Sequence, residues 1–497
     1  MEDGNHQRLQ RRTFLKRMAR LAGTAPLAPG ILAAVTDSAQ GQGVHQNVDS
    51  AHETERLAAY AAALRYADLP PQVVQRAKDC MADTVAAIIF GAELPWSKMI
   101  IAHARRNSAA GNSSILGTGG PPVRAGKAAL ANGAVAHAFE LDSLTKPSSG
   151  SHPGATVFPA ALAVAQDRGV TGRDLITAFV AGSEVMLRIG RATKHSNEAR
   201  GFHAPGTTGP FGAAVAAGHL VGLDAEKMTN ALGIAGSCAG GLLEFAHAGN
   251  GAMVKRLHMG RAAEGGVLAA DLAAEGFTGP TSVLEGEYGF LRVFCNTWDA
   301  TQLTRGLGSH FFTVDIMLKR YACHITAHNA IEATIDLRNE HSILAADVAS
   351  ITIAGNERMA KTNNIPSPGD LMLAQYSIPF SVALSLYRDA VNPRSFDDDA
   401  VHDPAILDLA SRIRMIVTTG QERSNLATTV TITLKDGREL SRAVASFKGT
   451  PEQPLERSEL REKFLMLTQR LGRAAMISLF DRLQGIENEK TLAWLSV

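Results

Sequence analysis

Residues 132–154 read NGAVAHAFELDSLTKPSSGSHPG. The first half, rich in alanine and glycine, has the composition of a closely packed helix. The second half breaks at Pro147 into a Ser/Gly loop that delivers His152 just before Pro153. Between them stand His137, Glu140 and Asp142, near the end of the helix, where carboxylates face the negative end of the dipole. Two carboxylates and two imidazoles are thus held together at a loop, where chemistry tends to sit. Taken alone, the stretch fits a solvated helix end. Three further polar clusters, inside segments that otherwise read as core, turn it into a candidate site.

Working outward, alanine and glycine are plentiful throughout and aromatic content is only 5%. That suits helices meeting through small contact residues better than a β-sandwich. At 497 residues the chain is too long for one ordinary core, so two domains are expected. A formal net charge of +1, with no basic block in the body, gives no reason to expect nucleic acid. Cys80, Cys238, Cys295 and Cys323 are scattered, with no metal-clip spacing. They read as small buried hydrophobes rather than as ligands of zinc or an iron–sulfur cluster.

The N-terminus reads as an address. Residues 10–16, QRRTFLK, look like a twin-arginine export signal with Arg11 and Arg12 as the pair. The apolar stretch after it, residues 21–35, is broken by Pro26 and Pro29, too short for stable membrane insertion. Residues 1–46 are therefore taken as signal and linker. The expected location is periplasmic, with the twin-arginine machinery as a partner during export.

Helical periodicity then runs from residue 54 to about residue 275. The stretch 200–212, RGFHAPGTTGPFG, places glycine-rich backbone ahead of a helix start, a cradle for a carboxylate or phosphate with His203 at its mouth. In residues 252–275, Lys255, His258 and Arg261 repeat every three positions among apolar neighbours, which suggests an anion site. The glycine-rich run at 117–122 lacks the Lys-Ser/Thr ending of a phosphate loop and is rejected as one. Beyond residue 300 the composition changes. His324 and His328 are four apart, but no glutamate follows His324, so a zinc-protease motif fails; one is read as functional and one as structural. Residues 348–354 and 427–434 alternate as strands, and Lys435-Asp436-Gly437 turns the second into 438–445. Residues 371–388 read as a helix carrying Gln375, Tyr376 and Ser377. The domain reading is 50–313 helical, 314–448 a small α+β unit, and 449–497 a helical tail returning to the first domain.

Together these residues resemble the MmgE/PrpD family over nearly all of residues 52–490. The motifs lie at 132–154, 201–222, 253–266, 319–328 and 375–380. The resemblance implies a mainly α fold: a large all-helical domain built from both chain ends plus a smaller α+β lid. It also implies a homodimer, an active site between the lobes, and no metal or other cofactor. Position by position it assigns Glu140, where the family usually has Asp, and then Asp142, His152, His203, Lys255, Lys319, His324 and Tyr376. Asp142 is followed by Ser143 and Leu144 rather than by the family's second Asp and Thr, and the loop to His152 is longer.

The chemistry follows from the residue types. A di- or tricarboxylate entering a cleft is neutralised by Lys255, Lys319 and the glycine-rich helix start, with Arg261 or Arg320 helping. Cations on a carboxylate stabilise the carbanion or enolate formed at the carbon beside it. His152 and His324 are the acid/base groups, Tyr376 a hydrogen-bond donor, and Glu140 and Asp142 either orient a histidine or act as base. The expected reaction is a dehydration of the 2-methylcitrate dehydratase type. Decarboxylation and epimerisation need the same groups, and a non-catalytic periplasmic carboxylate binder is the alternative of another class.

Overall fold

The computed structural model describes residues 52–246 and 251–497; the signal and linker reading of residues 1–46 lies outside them. The body is built from α1 (Glu53–Ala63), α2 (Pro71–Gly91), α3 (Pro95–Arg106), α4 (Ala125–Ala136), α5 (Pro153–Arg168), α6 (Gly172–Ala192), α7 (Ala204–Leu220), α8 (Ala225–Gly236) and α9 (Val254–Ala274). Their starts obey local rules. Proline occupies the first turn of α2, α3 and α5, where its missing N–H costs nothing. Thr171 and Asp174 form a capping box on α6, and Asp224 caps α8 through the Lys227 N–H.

Helix α5 is buried at every position from Pro153 to Gln166, and α7 from Ala204 to Gly218. Helices buried all round belong at the centre. Glycines let their backbones touch. A Cβ on Gly182 of α6 would stand 2.4 Å from the Gly212 carbonyl oxygen of α7, and one on Gly260 of α9 would stand 2.3 Å from that of Leu130 on α4. The alanine and glycine of the sequence are spent on these crossings.

The second part carries a four-stranded sheet of order β3-β2-β4-β5. It is formed by β2 (Val348–Gly355), β3 (Ile413–Val417), β4 (Thr428–Leu434) and β5 (Glu439–Val444), while β1 (Ala110–Ser113) is a separate short piece in the body. β2 pairs β4 antiparallel and β3 parallel. The predicted turn closes β4 onto β5 with Gly437 at φ +89°. β3 was not foreseen: only Ile413 of its five residues is buried, so the strand shows no alternation. α10 (His328–His341) packs on β4 and β5. The helix predicted over 371–388 is broken. It runs Leu371–Ala374, stops, and restarts as α11 (Ile378–Tyr387), capped by Ser377, whose Oγ accepts from the Phe380 N–H at 2.9 Å.

The tail helices α12 (Arg457–Thr468) and α13 (Arg473–Gln484) pack on α2. Lys463 pairs with Asp83, Lys78 with Glu487 at 2.8 Å, and the Gly117 N–H donates to the Val497 carbonyl at 2.6 Å. One hydrophobic cluster runs from Leu57 through Ile351 and Val430 to Leu495, so sheet and body share a core. Among the described residues no single helix is long and apolar enough to cross a membrane.

Candidate active site

Helix α4 stops at Ala136, and Glu140 then adopts a left-handed conformation at φ +57°, which reverses the chain. The loop beyond it is largely buried, and backbone and serine hydrogen bonds hold it in place. Leu144 and Met317 exchange backbone hydrogen bonds at 3.1 and 2.7 Å. Ser148 Oγ donates to the Leu187 carbonyl at 2.7 Å and Ser149 Oγ to Asn197 at 3.0 Å. Gly150, at φ +65°, lies against Ala204, where a Cβ would come within 2.3 Å. These contacts present His152 at the start of α5.

Glu140 is the hub. One carboxylate oxygen accepts from Lys255 Nζ of α9, the other from Lys319 Nζ at 3.0 Å. Burial alone would raise the carboxyl, but Lys255 and Lys319 outweigh it and hold it well below the usual range. Burial pushes Lys255 down to about 8, whereas the carboxylates of Glu140 and Asp142 outweigh burial at Lys319 and raise it. Asp142 is a second hub. Its two oxygens take His137 Nδ1 and His152 Nδ1, each at 2.7 Å. Those bonds fix the tautomer of both rings and leave Nε2 as the working nitrogen.

Opposite stand His203 and His324. His203 Nδ1 lies 2.9 Å from His258 Nδ1, and His324 Nδ1 lies 2.8 Å from Thr326 Oγ1. The His324 ring sits 4.4 Å from Tyr376, over which Lys255 lies at 4.8 Å. Gln375 occupies the helix break and donates to the carbonyls of Phe139 and Ala322, tying three segments together. Burial holds His203 and His324 well below 6.5 and His137 at about 4, so these rings are neutral at physiological pH. Burial also raises the Tyr376 hydroxyl, which stays protonated.

The cavity these groups enclose holds about 550 Å³ of unfilled space, mouth included. Glu140, His152, His203, Lys255, Lys319, His324 and Tyr376 all line it, and Asp142 lies directly behind. Arg261 does not join them. It is exposed and paired with Glu264, because three-residue steps drift about 60° each around a helix and carry Arg261 off the Lys255 face. Arg320 likewise pairs with Glu332 at 3.1 Å. His328 is the structural histidine, buried against Tyr321 and Phe447. The glycines of 200–212 do not form a cradle: a Cβ on Gly206 would lie 2.1 Å from the Gly240 carbonyl, so they serve packing. Only His203 and Pro205 of that stretch reach the cavity. Sequence reasoning assigned no role to His137, Lys146, Glu198 or Arg358, which line it too. His137 was visible in the quoted motif, while Glu198 and Arg358 carry no local signal.

Donor atoms of His137, Asp142 and His152 lie within 4.8 Å of one another, a spacing a divalent metal accepts. Here each Nδ1 meets an Asp142 oxygen directly.

The chain matches the family model for the MmgE/PrpD N-terminal domain over residues 55–303 and that for the C-terminal domain over 321–484. Among curated relatives, a cis-aconitate decarboxylase of Aspergillus terreus is 29% identical over 443 residues, covering 83% of this chain and 89% of the relative. The cis-aconitate decarboxylase of Homo sapiens is 28% identical over 427 residues, covering 83% and 86%. Another, from Aspergillus terreus strain NIH 2624, is 30% identical over 386 residues, covering 72% and 77%. With both domain models matched in order over most of the chain, it belongs to the MmgE/PrpD family, whose members act on small carboxylates.

Proposed function

We propose that this protein is a lyase that removes carbon dioxide from cis-aconitate or a closely similar unsaturated tricarboxylate. The observation that carries the reading is the meeting of Lys255 and Lys319 across Glu140 in a cavity walled by the neutral rings of His137, His203 and His324. Breaking the bond between carbon and a departing carboxylate leaves an electron pair on carbon. Adjacent unsaturation spreads it toward another carboxylate, where the two ammonium groups stabilise the growing charge in a desolvated site. A proton must then reach carbon. His152, its Nδ1–H held by the Asp142 carboxylate, takes a proton from solvent at Nε2 and, as the imidazolium that Asp142 stabilises, passes it to carbon and returns to the neutral ring, while Tyr376 and the neutral His324 orient the substrate by hydrogen bonds.

Decarboxylation displaces the dehydration ranked first from sequence because the curated relatives quoted above are named decarboxylases. The test is NMR in deuterated buffer with cis-aconitate and with citrate-type hydroxy acids. Carbon dioxide release with one deuterium entering the product is expected. Water loss from a hydroxy acid, exchange without bond cleavage, or binding without turnover overturns the reading, the last in favour of a carboxylate-binding protein. A homodimer and export by the twin-arginine route belong to the same proposal. Light scattering and cell fractionation of an R11K/R12K variant test them.

A further inference from the structure

The cavity has two ends with different charge. At the inner end the ammonium groups of Lys255 and Lys319 face the carboxylates of Glu140 and Asp142. With His137, His203 and His324 neutral, the two lysines and the two carboxylates of that end balance one another. At the other end stand Lys146, from the loop before His152, and Arg358, from the short helix Glu357–Thr362 that follows β2. They face one carboxylate, Glu198, which pairs with Arg358 at 3.3 Å and with His195 Nδ1 at 3.2 Å. Lys146 makes no ion pair or side-chain hydrogen bond with any described residue. Arg423 is a further cation nearby. The unneutralised positive charge of the cavity therefore sits at the end away from Glu140.

We propose that Lys146, with Arg358 held in place by Glu198, binds the substrate carboxylate remote from the inner end, and that this contact selects tricarboxylates over dicarboxylates. The assignment rests on the carboxylate-lyase reading for its substrate class. The argument is one of charge and shape. A trianion entering the cavity finds the inner cations already engaged by Glu140, and meets an excess of cations only at the other end, where Lys146 and Arg358 share the single carboxylate of Glu198. Desolvation makes an ion pair there count for more than at the surface. Consistent with this, burial and the adjacent Arg358 guanidinium push Lys146 down to about 8. An arriving carboxylate reverses that effect. Glu198 is the positioning residue: it orients Arg358 and keeps the two cations from repelling each other across an empty cavity.

Calorimetry on the full chain with two unreactive probes tests this independently of turnover. Tricarballylate has three carboxylates; methylsuccinate is the same skeleton with one terminal carboxylate replaced by hydrogen. Wild type should bind tricarballylate at least tenfold more tightly than methylsuccinate. Lys146→Gln should weaken tricarballylate at least tenfold and methylsuccinate less than twofold, and Lys146→Arg should restore tricarballylate binding to within threefold. Equal affinity of wild type for both probes overturns the proposal, whatever the variants do. So does Lys146→Gln weakening both probes alike or neither. Loss of carbon dioxide release with these ratios intact would sink the decarboxylase reading and leave the subsite standing.

Discussion

Glu140→Gln is the most informative single change. It keeps size and shape, and removes the charge that two buried ammonium groups share. Glu140 is 3% exposed, so water cannot take its place. Neutralising one partner of a buried ion pair costs about 3–5 kcal/mol, and the amide still accepts one hydrogen bond, so the lower end applies. At about 2 cal/mol/K of unfolding entropy per residue, a chain of this length loses about 1 °C per kcal/mol, which predicts a melting point about 3–4 °C lower at pH 7. The pH dependence has a definite sign. A carboxyl depressed in the fold contributes stability above its unfolded value near 4.5, and loses it as pH falls below that toward the folded value. The gap between wild type and variant should be full at pH 7 and shrink below about pH 4.5. A bound tricarboxylate supplies the missing negative charge, so tricarballylate should raise the melting point of the variant more than that of wild type. Differential scanning calorimetry at several pH values, with and without tricarballylate, checks all three. Equal melting points at pH 7, with equal ligand shifts, would refute the claim that Glu140 neutralises Lys255 and Lys319.

Other expectations follow from the same geometry. Asp142→Asn leaves both imidazoles in place but no longer fixes their tautomers, so kcat should fall at least about 100-fold while KM changes little, read by steady-state carbon dioxide release. Lys255 carries its charge only below about 8, so the rate should fall as pH rises through 8, and Lys255→Arg should remove that limb even if the overall rate drops. Gly206→Ala forces a Cβ to 2.1 Å from the Gly240 carbonyl and should lower the melting point by several degrees or prevent folding. Gly126→Ala, whose Cβ meets only Glu264 at 4.0 Å, should leave it unchanged or raised.

What the sequence determined by itself was governed by short-range rules. Prolines and capping residues set the helix starts, alternation placed β2 and β4, the Lys435-Asp436-Gly437 turn placed β5, and the abundance of glycine and alanine announced close helix crossings. The residue types of the motifs around 132–154 and 319–328 marked Glu140, His152, Lys319 and His324, which line one cavity. Short-range rules also misled. A three-residue repeat put Arg261 beside Lys255, although helical drift turns it to solvent. A glycine-rich helix start looked like an anion cradle, although neighbouring backbones fill the space. Only the tertiary structure decided which charges meet. Glu140 is 115 residues from Lys255 and 179 from Lys319, and Glu198 is 160 from Arg358. Nothing local encodes such pairings, because they exist only once α4, α9 and the segment before α10 have packed against one another. The uneven division of charge between the two ends of the cavity arises the same way, from packing that sets one carboxylate between two lysines and leaves Lys146 and Arg358 to share Glu198.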